Sequence, residues 1–155
     1  RVYTPIMPDP KALARATHDA CVCGSVRRAA RAITQLYDDT LRPSGLRITQ
    51  FTLLVAVAIG EPVPITRLAD ALDLDRTTLA RDLKPLTERG LLEITAGEDK
   101  RTRMVRLTVQ GREAMARAYP LWQQAQARIV QGSEADRWQL VAVGLEEVSA
   151  LALRS

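Results

Sequence analysis

The chain has 155 residues, enough for one domain with a real core, and its apolar share is 46% against an aromatic share of only 4%. Much of that apolar content is Ala and Leu, which suits close-packed helices better than a sheet-rich fold. The formal charge of +4 and pI near 9.5 favour an anionic partner only mildly. The longest apolar run, Leu53 to Ile59, is far short of the roughly 20 residues that cross a bilayer. No charged start followed by an apolar stretch marks a signal peptide, and the opening at Arg1 without Met is expected of a trimmed chain. Two cysteines make no disulfide framework, so the expected setting is soluble, reducing and cytoplasmic.

In chain order, residues 1 to 9 read as an extended arm, because Pro5, Pro8 and Pro10 crowd the start. From Lys11 to about Leu41 the pattern is helical, with Val22, Val26, Ala29, Ala30, Ile33, Leu36 and Tyr37 at spacings of three and four. "RPSG" (Arg42 to Gly45) ends it. Thr49 is placed to cap a helix over Gln50 to Ile59, closed by "GEPVP". Thr66 is placed to cap a short helix that turns Leu68, Ala69 and Leu72 inward. A break at Asp73-Leu74-Asp75 then leads to a second helix ending at Gly90. Two short helices with so tight a turn predict a helix-turn-helix.

After Gly90 the period changes. "LLEITAGEDKRTRMVRLT" alternates on either side of a polar tip and predicts a β-hairpin. Thr108 then starts a helix over Val109 to Gln131, and Ser133, with Glu134 in the first turn, caps a last helix to about Leu153. Met115, Ala118, Trp122, Ala125 and Ile129 form one apolar stripe; Trp138, Val141, Leu145, Val148 and Ala152 form another. Both have the spacing of a seam for a further helix.

The candidate chemistry lies in "DLDRTTLARDLKPLTERGLLE" (Asp73 to Glu93). On a helix from Arg76, the residues Leu79, Leu83 and Leu86 share one face, which core packing explains. Thr77, Arg81, Lys84 and Glu88 share another. Hydroxyls at Thr77 and Thr78 and cations at Arg81 and Lys84 are what a helix entering the DNA major groove needs. A solvated polar face would look the same on this helix alone. Asp75 is placed to cap the first turn. Pro85 predicts a local distortion without termination, since Leu86 continues the buried stripe.

The hairpin adds Lys100, Arg101, Arg103 and Arg106 within seven residues, against Asp99 alone. A solvated loop is the ordinary meaning of such a run. Directly after a helix-turn-helix it is also where a wing would reach phosphates or a narrow minor groove. Asp99 is expected to orient a neighbouring Arg. The candidate DNA-binding set is Thr66, Arg76, Thr77, Thr78, Arg81, Lys84, Asp99, Lys100, Arg101 and Arg103.

Assembled, these elements resemble the MarR (multiple antibiotic resistance regulator) family of transcription factors from about Ala20 onward. The resemblance is carried by "LRITQFTLL" (Leu46 to Leu54), by "LADALDLDRTTLARDLKPLTERGLL" and by the wing "DKRTRMVRLTVQG" (Asp99 to Gly111). It implies a mainly α (α+β) winged helix-turn-helix subunit. Residues 10–45 and 109–155 would form a dimerisation region and residues 46–108 the DNA-binding part, with the helix-turn-helix at 65–90 and the wing at 92–107. It also implies a homodimeric, sequence-specific repressor on a pseudo-palindromic double-stranded operator, released by a small ligand held between those regions. Carried over by position, Thr77, Thr78, Arg81 and Lys84 would meet the major groove, and Asp99 and Arg101 would supply the minor-groove contact.

"HDACVCGSVRRAARAITQLY" poses a separate question. On one helix Cys21 and Cys23 would point roughly 200° apart and could not bridge each other. Buried free cysteines usually act as small hydrophobes. A second similarity, to the organic-hydroperoxide-sensing branch, places a reactive Cys eight residues before an Arg-Ala pair, as Cys23 stands to Arg31-Ala32. Tyr37 matches one thiol-bonding tyrosine of that branch; Arg27 stands where the other would be, one turn from Cys23, where a cation favours thiolate. This gives an alternative function, an oxidant-sensing repressor using Cys23, with Cys21, Arg27 and Tyr37 as associated residues. A metal reading of His18, Asp19, Cys21 and Cys23 finds no second ligand cluster. One His, no Gly-rich phosphate loop and no nucleophile-base pair argue against an enzyme, and no cofactor is expected. A protein-interaction module without DNA binding is the remote alternative.

Overall fold

The computed structural model describes residues 9–99, 101–131 and 135–153. The arm at residues 1–8, Lys100, and the cap expected at Ser133 and Glu134 lie outside the described residues. The elements in order are α1 (Pro10–Ala20), α2 (Val22–Leu41), a 3-10 turn (Arg42–Ser44), α3 (Ile48–Gly60), β1 (Val63–Pro64), α4 (Ile65–Ala71), α5 (Arg76–Glu88), β2 (Leu92–Ala96), β3 (Arg103–Leu107), α6 (Val109–Gln131) and α7 (Ala135–Leu153). The chain forms two compact units, Arg1–Leu36 and Tyr37–Ser155, divided within α2.

In the first unit the single helix expected from Lys11 is two. Cys21 interrupts it with an extended ψ of 104°. Its thiol accepts the Gly24 N–H at 3.3 Å and its carbonyl accepts the Ser25 N–H at 3.0 Å, so Cys21 caps α2. A thiol is a weak acceptor that cap preferences do not include, which is why periodicity alone ran through it. The premise that both cysteines share one helix is therefore corrected. At the other end, Asp9 caps α1 through the Lys11 N–H, with Pro10 in the first turn, where its missing N–H costs nothing.

In the second unit two expected caps are displaced. Helix α3 begins at Ile48, so Thr49 lies inside it. The Arg47 N–H donates to the Gln50 side chain at 3.1 Å and the Ile48 N–H to Asp38 at 2.8 Å. Asp38 comes from the end of α2, ten residues back, beyond the reach of a local cap rule. Helix α4 begins at Ile65 after Pro64, so Thr66 is helical and not the cap.

The hairpin β2–β3 is antiparallel, pairing Leu92 with Leu107 through Ala96 with Arg103, as the alternation predicts. The two-residue strand β1 joins the other edge of β3, pairing Val63 with Val105 and Pro64 with Met104, giving the sheet order β1-β3-β2. So short a strand leaves no periodic signal. Leu54, Val57, Leu68, Leu79, Leu83, Leu86 and Val105 fill the core beneath. Thr108 caps α6 as expected, accepting the Gly111 N–H at 3.0 Å and donating its hydroxyl to the Gly90 carbonyl at 2.6 Å. Gly111 is required there by space, since a Cβ would lie 2.0 Å from the Leu91 carbonyl oxygen. Among the described residues no single helix is long and apolar enough to cross a membrane.

Candidate nucleic-acid interface

The turn between α4 and α5 is built from backbone bonds and one carboxylate. The Leu74 N–H reaches back to the Ala69 carbonyl at 3.0 Å, and Asp73 takes a positive φ of 50°. Asp75 then caps α5, as expected: it accepts the Thr78 N–H at 2.9 Å and the Thr78 hydroxyl at 2.6 Å. The bond from that hydroxyl, and next the one from the Thr78 N–H, hold the Asp75 carboxyl below its usual range. Thr78 thus spends its proton inside the turn, so of the two hydroxyls only Thr77 stands fully outward.

Helix α5 divides as its pattern predicts. Leu79, Leu83 and Leu86 are at most 1% exposed. Arg76, Thr77, Arg81 and Lys84 are exposed, the Arg81 and Lys84 side chains by 74% and 72%. Their partners, Asp82 at 3.4 Å and Glu88 at 3.7 Å, are surface pairs worth little in water, so both cations can be drawn to a stronger anion. The helix continues through Pro85, although proline withholds the N–H that would bond the Arg81 carbonyl.

In the wing, Asp99 does not orient an arginine side chain. Its carboxylate accepts the Thr102 N–H at 2.8 Å, the Thr102 hydroxyl at 2.8 Å and the Arg101 N–H at 3.1 Å. It therefore shapes the tip through backbone amides, as a short side chain in a tight turn does. The Thr102 N–H, then its hydroxyl, lower the Asp99 carboxyl. Arg101 and Arg103 remain exposed and line one concavity with Ile65, Thr66 and Thr102, which brings the tip end of β3 to the start of α4. Arg106 is instead paired with Glu93, directly across the hairpin, at 2.9 Å.

Between α3, in residues 46–108, and α6, in residues 109–155, lies a groove whose lining residues the sequence did not single out as a set. Phe51, Val55, Ala58, Ile59, Met115, Ala116 and Tyr119 line an apolar groove of about 470 Å³, continued by Thr52 and Trp122. Phe51 and Tyr119 flank the Trp122 ring at centroid distances of 6.3 and 5.9 Å. Trp122 was legible as part of a stripe; that α3 would supply the facing wall was not.

Of the redox candidates, Cys21, Cys23 and Arg27 lie in the first unit and Tyr37 in the second. Cys23 is exposed in the first turn of α2 and Arg27 is exposed one turn later, while Cys21 is half-buried in its capping role. Tyr37 is buried, and its hydroxyl donates to Gln126 of α6. Burial raises that phenol's pKa. Among the described residues no group of three or more side chains could hold a metal.

An exposed cationic helix beside a cationic hairpin, on a scaffold of long helices, is the geometry of a winged helix-turn-helix DNA-binding protein. Residues 44–102 match the MarR family. The chain is 34% identical to the M. tuberculosis transcriptional regulator MosR, over 89% of this chain and 99% of that one, with a TM-score of 0.77. MosR in complex with DNA is 35% identical, covering 84% and 98% of the two chains at a TM-score of 0.73. An E. coli MarR variant on operator DNA shares the fold at 21% identity and a TM-score of 0.78, over 85% and 96% of the chains. YwoH, an uncharacterised helix-turn-helix regulator of Bacillus subtilis (strain 168), is 30% identical over 83 residues; the match spans 54% of this chain and 61% of that relative. The chain belongs to the MarR family of DNA-binding transcriptional regulators.

Proposed function

We propose that this regulator is a homodimeric repressor that reads a pseudo-palindromic operator. Residues 46–108 bind DNA, and residues 10–45 and 109–155 dimerise. The observation that carries the reading is the division of α5: its leucine face is sealed in the core, while Arg76, Thr77, Arg81 and Lys84 stand in solvent, as Arg101 and Arg103 of the wing do. Arg81 and Lys84 with Thr77 meet the major groove. Arg101, Arg103 and Lys100 reach the backbone or minor groove, and Thr66 meets a phosphate from α4. Asp75 with Thr78, and Asp99, order the backbone turns that present these side chains.

Dimerisation is supported by α7, whose Leu140, Val141, Val143, Leu145 and Val148 are exposed in a single chain. A dimer would set two α5 helices one DNA turn apart, roughly 34–36 Å. The groove of α3 and α6 supports release by an apolar, ring-containing effector, because aromatic faces line it and no charged side chain does. A cytoplasmic location follows from a DNA target. Replacing both Arg81 and Arg101 with Ala should abolish operator binding while the fold persists. Retained binding would overturn the assignment of the interface.

The second reading is thiol-based release. It is favoured by the exposure of Cys23 in the first turn of α2 with Arg27 a turn away. Peroxide should then free DNA from the native protein and not from Cys23→Ser; equal release from both would remove it. No observation favours an interaction module without DNA.

A further inference from the structure

We propose that Glu61 is a positioning residue for the wing, coupling the base of β3 to the first turns of α6. The inference rests on the reading of Arg101 as a wing contact to DNA.

Strand β1 pairs Val63 with Val105 and Pro64 with Met104. The same antiparallel register, continued back two residues, sets position 61 opposite Leu107. The paired backbone of β1 stops at Val63, because at Glu61 the chain is only leaving α3. The Glu61 side chain takes over instead. Its Oε2 accepts the Leu107 N–H at 2.7 Å, standing in for the missing strand carbonyl. Its Oε1 accepts a guanidinium N–H from Arg112 of α6. The Glu61 side chain is only 15% exposed, so its bond to the Leu107 amide is partly shielded from water, while Arg112, 56% exposed, closes the pair from the solvent side.

One carboxylate therefore ties three parts together: the end of α3, the last residue of β3 and the start of α6. Leu107 is the base of the strand whose other end, Arg103, leads into the wing tip. Five residues of strand form a stiff arm of roughly 13 Å, so a small tilt at Leu107 moves the arginines at the far end. Helix α6 also forms a wall of the apolar groove. The Arg112 pair is thus a direct mechanical route by which a shift of α6 reaches the wing.

A double-mutant cycle tests this, using the tightest-binding duplex selected by the native full-length protein from a random-sequence pool. Arg101→Ala should weaken binding about tenfold. Glu61→Ala should weaken native binding several-fold, expose the Leu107 amide to hydrogen exchange, and add nothing in the Arg101→Ala background. Glu61→Gln, which keeps an acceptor for Leu107 but gives up the ion pair with Arg112, should restore the amide protection and only part of the affinity. If Glu61→Ala does not fold, Arg112→Gln enters the same cycle in its place. Equal losses with and without Arg101 would overturn the coupling and leave the wing contact standing. No loss from Arg101→Ala itself would overturn the wing contact, and the proposal with it.

Discussion

Asp75 and Asp99 carry much of the local order of the α5 start and of the wing tip. Each collects an N–H and a hydroxyl from the residue three positions on, Thr78 and Thr102. Those bonds lower both carboxyls from their ordinary value of 3.8. A lowered folded-state pKa means that the stabilisation is complete above pH 3.8 and is lost as pH falls through the lower folded values. Chemical denaturation should therefore show native and Asp75→Asn proteins differing at pH 7 and converging toward pH 2. A constant difference across that range would mean that the charged cap contributes nothing. Arg81, proposed to meet DNA, is held only by a weak surface pair, which leaves its guanidinium available to a stronger anion.

At the scale of elements, the leucine face of α5 and the start of α6 are the least forgiving. Leu83→Ala should cost about 2–5 kcal/mol, read from the denaturation midpoint, because its side chain is fully enclosed. Gly111→Ala should cost about 1–3 kcal/mol or more, since the added methyl meets a backbone carbonyl and not a yielding side chain. A variant as stable as the native protein would show that α6 can shift away from Leu91. These elements also show what could be read from sequence. The repeat of leucines in α5, the Asp75 and Thr108 caps and the alternation of the hairpin are local signals, and each produced the element expected. What escaped depended on distant partners or weak groups: Asp38 capping α3, the Cys21 thiol interrupting a helix, the two-residue β1, and Glu61 bonding 46 residues away. The arginines of the interface were legible as residue types. That Asp99 would serve backbone amides, and Thr78 its own cap, needed coordinates.

For the whole molecule, the proposed functional unit is two copies of the chain. Helix α7 exposes apolar residues on more than one side, including Leu140, Leu145 and Leu151, and a second chain is the proposed cover. Leu145→Glu should convert dimer to monomer in sedimentation and reduce operator affinity strongly, because one half-site then binds without the other. A variant that stays dimeric would move the interface elsewhere. The central claim, that α5 and the wing together grip DNA through their cations, is tested most directly by operator affinity across a salt series. For the native protein, log affinity should fall steeply and linearly with log salt, and Arg81→Ala with Arg101→Ala should remove the specific binding while the fold persists. Binding that ignores salt, or that survives both substitutions unchanged, would contradict it.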